Sequence, residues 1–186
     1  MDTRLRIIDT ANTLIVERGY NAFSYKDISE KIGIKTSSIH YHFSTKSVLG
    51  IAVVQQHQQA FEQTIARTNG KTPIEKIGKL FLYYKRLVAE RKVCIAGAMT
   101  SDINTLDESL REQILAFSGT LINWTASILR DGQTQSIFKP IASHELKAKQ
   151  IIASLMAVAQ FARIEKSKSD FDLMTQMMLE ELIITV

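Results

Sequence analysis

Ser24-Tyr25-Lys26-Asp27-Ile28-Ser29-Glu30-Lys31-Ile32-Gly33-Ile34-Lys35-Thr36-Ser37-Ser38-Ile39-His40-Tyr41-His42-Phe43-Ser44-Thr45-Lys46 is the stretch that decides the fold. Ser24 with Asp27 three residues on is a capping-box pattern, in which each side chain satisfies the other's orphan backbone donor. Ile28 and Ile32 then supply one buried face, so a helix is expected from Tyr25 to Lys31 or Ile32. Gly33 and Ile34 break that pattern. A second short helix is expected over Thr36–His42, with Ile39 and Phe43, four apart, as its anchors, and Ser44-Thr45 offers the cap of a third. Two short helices joined by a tight glycine-containing turn make a helix-turn-helix.

Working outward, Ile7, Ile8, Ala11, Leu14 and Ile15 keep to one face of a helix over Thr3–Arg18, with Gly19 at its C-terminus. Downstream, a long helix is expected from Lys46 to about Thr68, ended by Asn69-Gly70, and Pro73 suits the first turn of the next, reaching about Lys92. Further helices are expected over Cys94–Asp102 and Leu106–Leu129. A loop around Asp131-Gly132-Gln133 extends to Pro140, Ser143 caps a helix to Lys166, and Ser169 or Asp170 starts the last. The expectation is an all-α chain of nine helices: a three-helix helix-turn-helix domain over residues 1–46, and a larger helical domain over 47–186, to which dimerisation and, by resemblance, ligand binding are assigned below. Composition agrees, since only two prolines and eight glycines occur in 186 residues and apolar positions recur every three or four.

The net charge of +4 permits nucleic-acid binding without demanding it. Residues 1–50 hold only a slight basic surplus. The denser surplus lies in 67–92, where Arg67, Lys71, Lys76, Lys79, Lys85, Arg86, Arg91 and Lys92 face only Glu75 and Glu90. Ile77, Leu80, Phe81, Tyr84, Leu87 and Val88 form the opposite apolar stripe, so this reads first as a solvated helix face. One cysteine excludes an internal disulfide framework, and with an early acidic residue and no apolar leader segment the chain is expected in the cytoplasm. The apolar run 151–164 is too short to span a bilayer, and no membrane association is expected.

A recognition helix must be slim and polar at its N-terminal end to enter the major groove, and Thr36-Ser37-Ser38 supplies small hydroxyls and free backbone N–H groups there. The candidate DNA contacts are Tyr25, Lys26, Lys35, Thr36, Ser37, Ser38, His40, Tyr41, His42 and Lys46, with His40 and Tyr41 placed to reach base edges and Lys46 a phosphate. His40 and His42, two apart, point away from each other on a helix, so no metal pair is read from them. No cofactor is expected either. A Gly-rich phosphate loop, a His/Glu metal spacing and a nucleophile–base pair are all missing from the sequence, which argues against an enzyme. An architectural protein that senses nothing is the other alternative.

Gly19-Tyr20, the run Asp27–Ile34, and Ile39-His40-Tyr41-His42-Phe43-Ser44-Thr45-Lys46 with Leu49 together resemble the N-terminal signature of TetR-family repressors. The likeness covers roughly the first quarter of the chain. It departs from the family at Ser37, often glycine there, and at His40, usually a tyrosine that commonly contacts the operator; both bear on which bases are read. Segment 93–132, with Cys94, Arg111, Phe117, Trp124 and Gly132, resembles more loosely the ligand domain of a subgroup that includes electrophile sensors. The resemblance implies a homodimer that binds a palindromic double-stranded operator and is released by a small-molecule or electrophile inducer.

For the body, the helix over 151–161 is apolar on nearly every side, more than one core-facing stripe uses. A second burial partner is implied, and the expected dimer interface is Ile152, Leu155, Met156, Ala159, Met174 and Met178, forming a four-helix arrangement about a two-fold axis. Ligand-pocket candidates are Phe81, Tyr84, Cys94, Met99, Phe117, Trp124 and Met156; plain core is the other reading of the same spacing. Cys94, beside Arg91 and Lys92 at a helix start, fits either a reactive thiol or a small buried hydrophobe.

Overall fold

The computed structural model of the chain describes residues 2–165 and 169–184, and among these it holds nine α-helices and no β-strand. They are α1 (Thr3–Arg18), α2 (Tyr25–Ile32), α3 (Thr36–His42), α4 (Lys46–Ala66), α5 (Pro73–Ala89), α6 (Ile95–Thr100), α7 (Glu108–Thr134), α8 (His144–Glu165) and α9 (Ser169–Leu182), with a short 3-10 turn at Ile103–Thr105. The all-α expectation is met. An end of the eighth helix at Lys166 lies outside the described residues.

Contacts divide the chain into two compact units: Met1–Ala60 with Cys94–Ser118, and Phe61–Val93 with Gly119–Val186. In the first, α1 packs on α2 and on α6, and α2 packs on α3. Ile7, Leu14 and Ile15 of α1, Ile28 of α2, Ile39 of α3 and Leu49 and Val53 of α4 are fully buried. In the second, α5, α8 and α9 pack mutually, with Ile77, Leu80 and Tyr84 of α5 and Leu155 of α8 inaccessible to solvent.

The helix ends follow local chemistry. Asp2 caps α1 by accepting from the Arg4 amide at 3.0 Å. The Thr72 amide and hydroxyl both donate to Glu75, at 2.8 and 2.9 Å, closing a capping box ahead of Pro73. Asp107 accepts from the Leu110 amide at 3.0 Å, so α7 starts at Glu108 rather than at Leu106. Arg91 takes a left-handed φ of 55° and stops α5 short of Lys92.

Asp131-Gly132-Gln133, expected as a loop, instead belongs to the last turns of α7. The reason is Phe138. Its ring, 1% exposed, lies where a Cβ on residue 132 would stand, so the glycine serves close packing inside the helix rather than a turn. Beyond it the chain turns back: the Lys139 amide donates to the Leu182 carbonyl at 2.8 Å and the Ile184 amide to the Ile137 carbonyl at 3.1 Å, closing a single antiparallel bridge.

Candidate nucleic-acid interface

The α2–α3 corner is fixed from both ends. Ser24 donates to the Asp27 carboxylate through its amide at 2.8 Å and its hydroxyl at 2.6 Å, and these bonds hold the carboxyl below the usual range. Gly33 adopts φ 68° and ψ 38°, a left-handed conformation that only a residue without Cβ takes at little cost, and its amide returns to the Ser29 carbonyl. The Ser29 hydroxyl then donates to the Ile34 carbonyl at 2.6 Å. From the far side, the Tyr25 hydroxyl donates to the Phe43 carbonyl at 2.9 Å. Burial pushes that phenol up to about 12, so it stays a protonated donor at any physiological pH.

With Ile39 and Phe43 buried beneath it, α3 presents the rest of its surface outward. Lys35, Thr36, Ser37, His40 and Tyr41 are exposed, and Tyr41 is 87% so. Ser38 and His42 are half-buried, and the His42 ring stands edge-on to Tyr41 at 5.3 Å. His40 stands edge-on to the half-buried Tyr25 ring at 4.7 Å, which limits where its imidazole can point. Lys26 is exposed and pairs with Glu30 at 3.8 Å. The arrangement is a rigid ridge of hydroxyls, an imidazole and a phenol, with Lys35 at its leading end. Arg4, whose guanidinium lies 5.2 Å from the Phe43 ring centre, adds a cation that sequence reasoning missed.

Lys46 is the position where geometry adds most. Its ammonium donates to the Phe23 carbonyl at 2.5 Å and sits over the rings of Phe23 and Tyr20, 4.3 and 4.8 Å from their centres. Burial lowers its pKa, opposed by the charges of Asp102 and Asp27. It therefore fastens the α1–α2 turn. Asp102 fastens the same turn by accepting from the Asn21 amide at 3.1 Å and from its Nδ2 at 3.0 Å. No short-range motif announces the Asn21–Asp102 pair, because its members lie 81 residues apart.

The other candidate residues divide between the two units. Phe81, Tyr84, Trp124 and Met156 belong to the second unit, and Cys94, Met99 and Phe117 to the first. Tyr84, Met99 and Phe117 are fully buried, Trp124 is 9% exposed, and Phe81 and Met156 are half-buried. Two cavities of the second unit lie elsewhere, one against Lys139–Lys147 and Glu181, the other against Arg67 and Lys79. Cys94 is 2% exposed at the start of α6, while Arg91 is exposed and the Lys92 ammonium is engaged with Glu90 at 2.7 Å. Slow modification is expected: an aromatic disulfide reagent should label Cys94 in the native protein orders of magnitude more slowly than in denaturant, and the Cys94→Ser variant should answer electrophiles as wild type does. Rapid stoichiometric labelling of the folded protein overturns this.

The expected interface residues split likewise. Ile152, Leu155 and Ala159 are buried within their own unit, at 7%, 0% and 1% exposure, Met156 and Met178 are half-buried, and Met174 is exposed. The outward face of α8 is carried by Leu146, Ala153, Ala157, Phe161 and Ile164, and that of α9 by Leu173, Met174 and Met177.

The model for bacterial regulatory proteins of the tetR family matches residues 7–53, the segment that forms α1 to α3 and the start of α4. Along nearly the whole chain, 97% of it and 92% of the relative, the sequence is 22% identical to the HTH-type transcriptional repressor DhaR of Mycobacterium sp. (strain GP1). Among solved structures, a TetR-family transcriptional regulator from Agrobacterium tumefaciens superposes with a TM-score of 0.91 at 30% identity, covering 97% of each chain. A TetR transcriptional regulator from Legionella pneumophila does so with 0.88 at 31% identity over 98% of each. Joined to the exposed, firmly anchored α3, these likenesses place the chain: it belongs to the TetR family of transcriptional regulators.

Proposed function

We propose that the protein is a cytoplasmic repressor that binds a palindromic operator as a homodimer and leaves it when a small molecule binds, with residues 1–46 reading DNA and 47–186 serving ligand binding and dimerisation. The observation that carries the DNA reading is α3: Lys35, Thr36, Ser37, His40 and Tyr41 stand exposed on a helix locked by Ile39, Phe43 and the Tyr25–Phe43 bond. A groove-reading helix needs its base-contacting side chains free and its own position fixed. The dimer reading rests on the apolar outward faces of α8 and α9, and no described helix is long and apolar enough to cross a membrane and so account for them. The repressor sense follows the named relative, and release by a ligand follows the family.

The test is a binding titration on DNA flanking the protein's own coding region and on scrambled DNA, at several salt concentrations, with and without a panel of metabolites. His40→Ala is expected to relax discrimination at one symmetric pair of base positions, by about 1–3 kcal/mol per half-site. Lys35→Ala is expected to weaken all sequences alike and to flatten the logarithmic salt dependence by roughly 0.9 per protomer. Lys46→Ala should also lose affinity, with part of the loss structural, since removing the ammonium leaves the Phe23 carbonyl without its donor. If wild type holds scrambled and flanking DNA equally at every salt concentration, operator reading by α3 is refuted.

A further inference from the structure

The basic run 67–92 is not absorbed by the DNA reading, and its members do not all dissolve into a solvated helix face. α5 carries exposed Lys79 and Arg86 and half-buried Tyr83 along one stripe, at spacings of four and three, away from the buried stripe of Ile77, Leu80, Tyr84 and Val88. Facing that stripe is the end of α4 and the turn after it, which carry Thr64, Arg67 and Lys71. Between them lies a cavity of about 200 Å³, lined by Thr64, Arg67, Lys71, Lys79, Tyr83 and Arg86 among others.

The turn that holds two of these cations is not loose. Thr68 is 2% exposed and its hydroxyl donates to the Ile65 carbonyl at 2.6 Å. The Lys71 amide donates back to the Thr68 carbonyl at 3.0 Å, Gly70 takes φ 76°, and the Thr72–Glu75 capping box follows at once. The cavity floor is equally set, because the Tyr83 ring packs edge-on against buried Phe61 at 5.5 Å, and Phe61 against Trp124 at 5.3 Å. Counter-charge is sparse. Lys71 pairs with Glu75 at 3.6 Å, and Arg86 contributes, after Lys92, to holding the Glu90 carboxyl below its usual range. Arg67 and Lys79 make no ion pair among the described residues.

The geometry points to an anion-binding site in this cavity, formed by Arg67, Lys71, Lys79 and Arg86, that takes a small polyanion bearing phosphoryl or clustered carboxylate oxygens. Four cations held around one concavity repel each other unless an anion neutralises them, and two of the four are guanidinium groups, whose planar forks match such oxygens in pairs. The volume falls below the roughly 300–1,000 Å³ typical of pockets for drug-sized ligands, which favours a compact, highly charged ligand over a large apolar one. The cavity is concave and formed by two elements of one unit, a shape that suits a discrete ligand better than a duplex backbone. Phe81 and Tyr84 are not among the residues that line it.

Isothermal titration of the full chain tests it, with inorganic phosphate, pyrophosphate and citrate as probes at ionic strength held constant with sodium chloride. Saturable binding of pyrophosphate or citrate is expected, about one per protomer, with the stronger probe telling phosphoryl from carboxylate preference. The Arg67→Gln/Lys79→Gln double variant should bind at least about tenfold more weakly, because each removed charge takes charge-assisted hydrogen bonds with it. A charge-matched control, Lys139→Gln/Lys149→Gln, should bind as wild type. Absence of saturable binding by any probe in the millimolar range overturns the proposal. So does equal weakening in the control pair, which marks diffuse attraction. Loss of DNA affinity in Arg67→Gln/Lys79→Gln without any anion binding also overturns it and assigns these cations to the DNA backbone.

Discussion

Phe161→Glu is expected to convert the protein to a folded monomer and to remove measurable operator binding at concentrations where wild type is saturated. Phe161 is 56% exposed on α8, flanked along the same face by Ala157 and by Ile164, 75% exposed, with Leu173 and Met177 of α9 exposed at 60% and 53%. Within one protomer these side chains gain nothing from their exposure. Covering a phenylalanine of this kind contributes about 1.5–3 kcal/mol. In a two-fold interface every substitution acts twice, so losing about 2 kcal/mol per copy raises the dimer dissociation constant about a thousandfold, before any repulsion between the new carboxylates. A monomer engages one half-site and forfeits the second. Because the position is open in the monomer, a glutamate there is solvated, and helix content by circular dichroism should be unchanged. Ala159→Glu makes the opposite control: at 1% exposure its carboxylate enters the core of its own unit and is expected to unfold the chain rather than split it. A dimer by light scattering for a folded Phe161→Glu protein sinks the α8–α9 interface.

That contrast shows how far α8 was legible. Its apolar excess is visible in the sequence, and the helix carries both a buried stripe and an exposed apolar face. Which side faces which partner is a question of phase, and Ile152, Leu155 and Ala159 look no different in composition from Ala153, Ala157 and Phe161. The phase becomes readable once Ala148, Ile151 and Leu155, all buried at spacings of three and four, are known to face inward. The head was legible in far more detail. Ser24 with Asp27, Gly33, and the Ile39–Phe43 pair act through bonds and contacts within a few residues, so their spacing alone carries the geometry. Lys46 was half legible: a lysine at that place reads as a phosphate contact, while its hydrogen bond to the Phe23 carbonyl depends on a turn 23 residues away. Asn21 and Asp102, 81 residues apart, leave no local trace, and the packing of Phe138 on Gly132 depends on a turn that no residue type there announces.

Gly132 turns that last blind spot into a measurement, because it shares a helical setting with Gly78 and Gly119 and yet should respond to the same substitution with the opposite sign. A mid-helix glycine costs about 1 kcal/mol relative to alanine through the conformational freedom it loses on folding. At Gly78 in α5 and Gly119 in α7 an added Cβ meets no atom within 4 Å, so Gly78→Ala and Gly119→Ala should each stabilise by about 0.5–1 kcal/mol. At Gly132 the same propensity gain is offered, but the Cβ would occupy the space of the Phe138 ring. That ring is 1% exposed, and its backbone is held by the bridge it forms with Ile183, so it has little room to withdraw. Overpacking of a close-packed interior costs about 1–3 kcal/mol, and more when backbone must shift. Gly132→Ala is therefore expected to destabilise by about 1–2 kcal/mol net, and Gly132→Val by more. Denaturant unfolding at one fixed protein concentration reads this, since a dimer's midpoint moves with concentration. Pairing Gly132→Ala with Phe138→Leu should recover part of the loss, as the smaller side chain vacates the space the new methyl needs. Stabilisation by Gly132→Ala equal to that of the other two would show that residue 132 tolerates a side chain, and that the loop reading was nearer the truth than the packed helix.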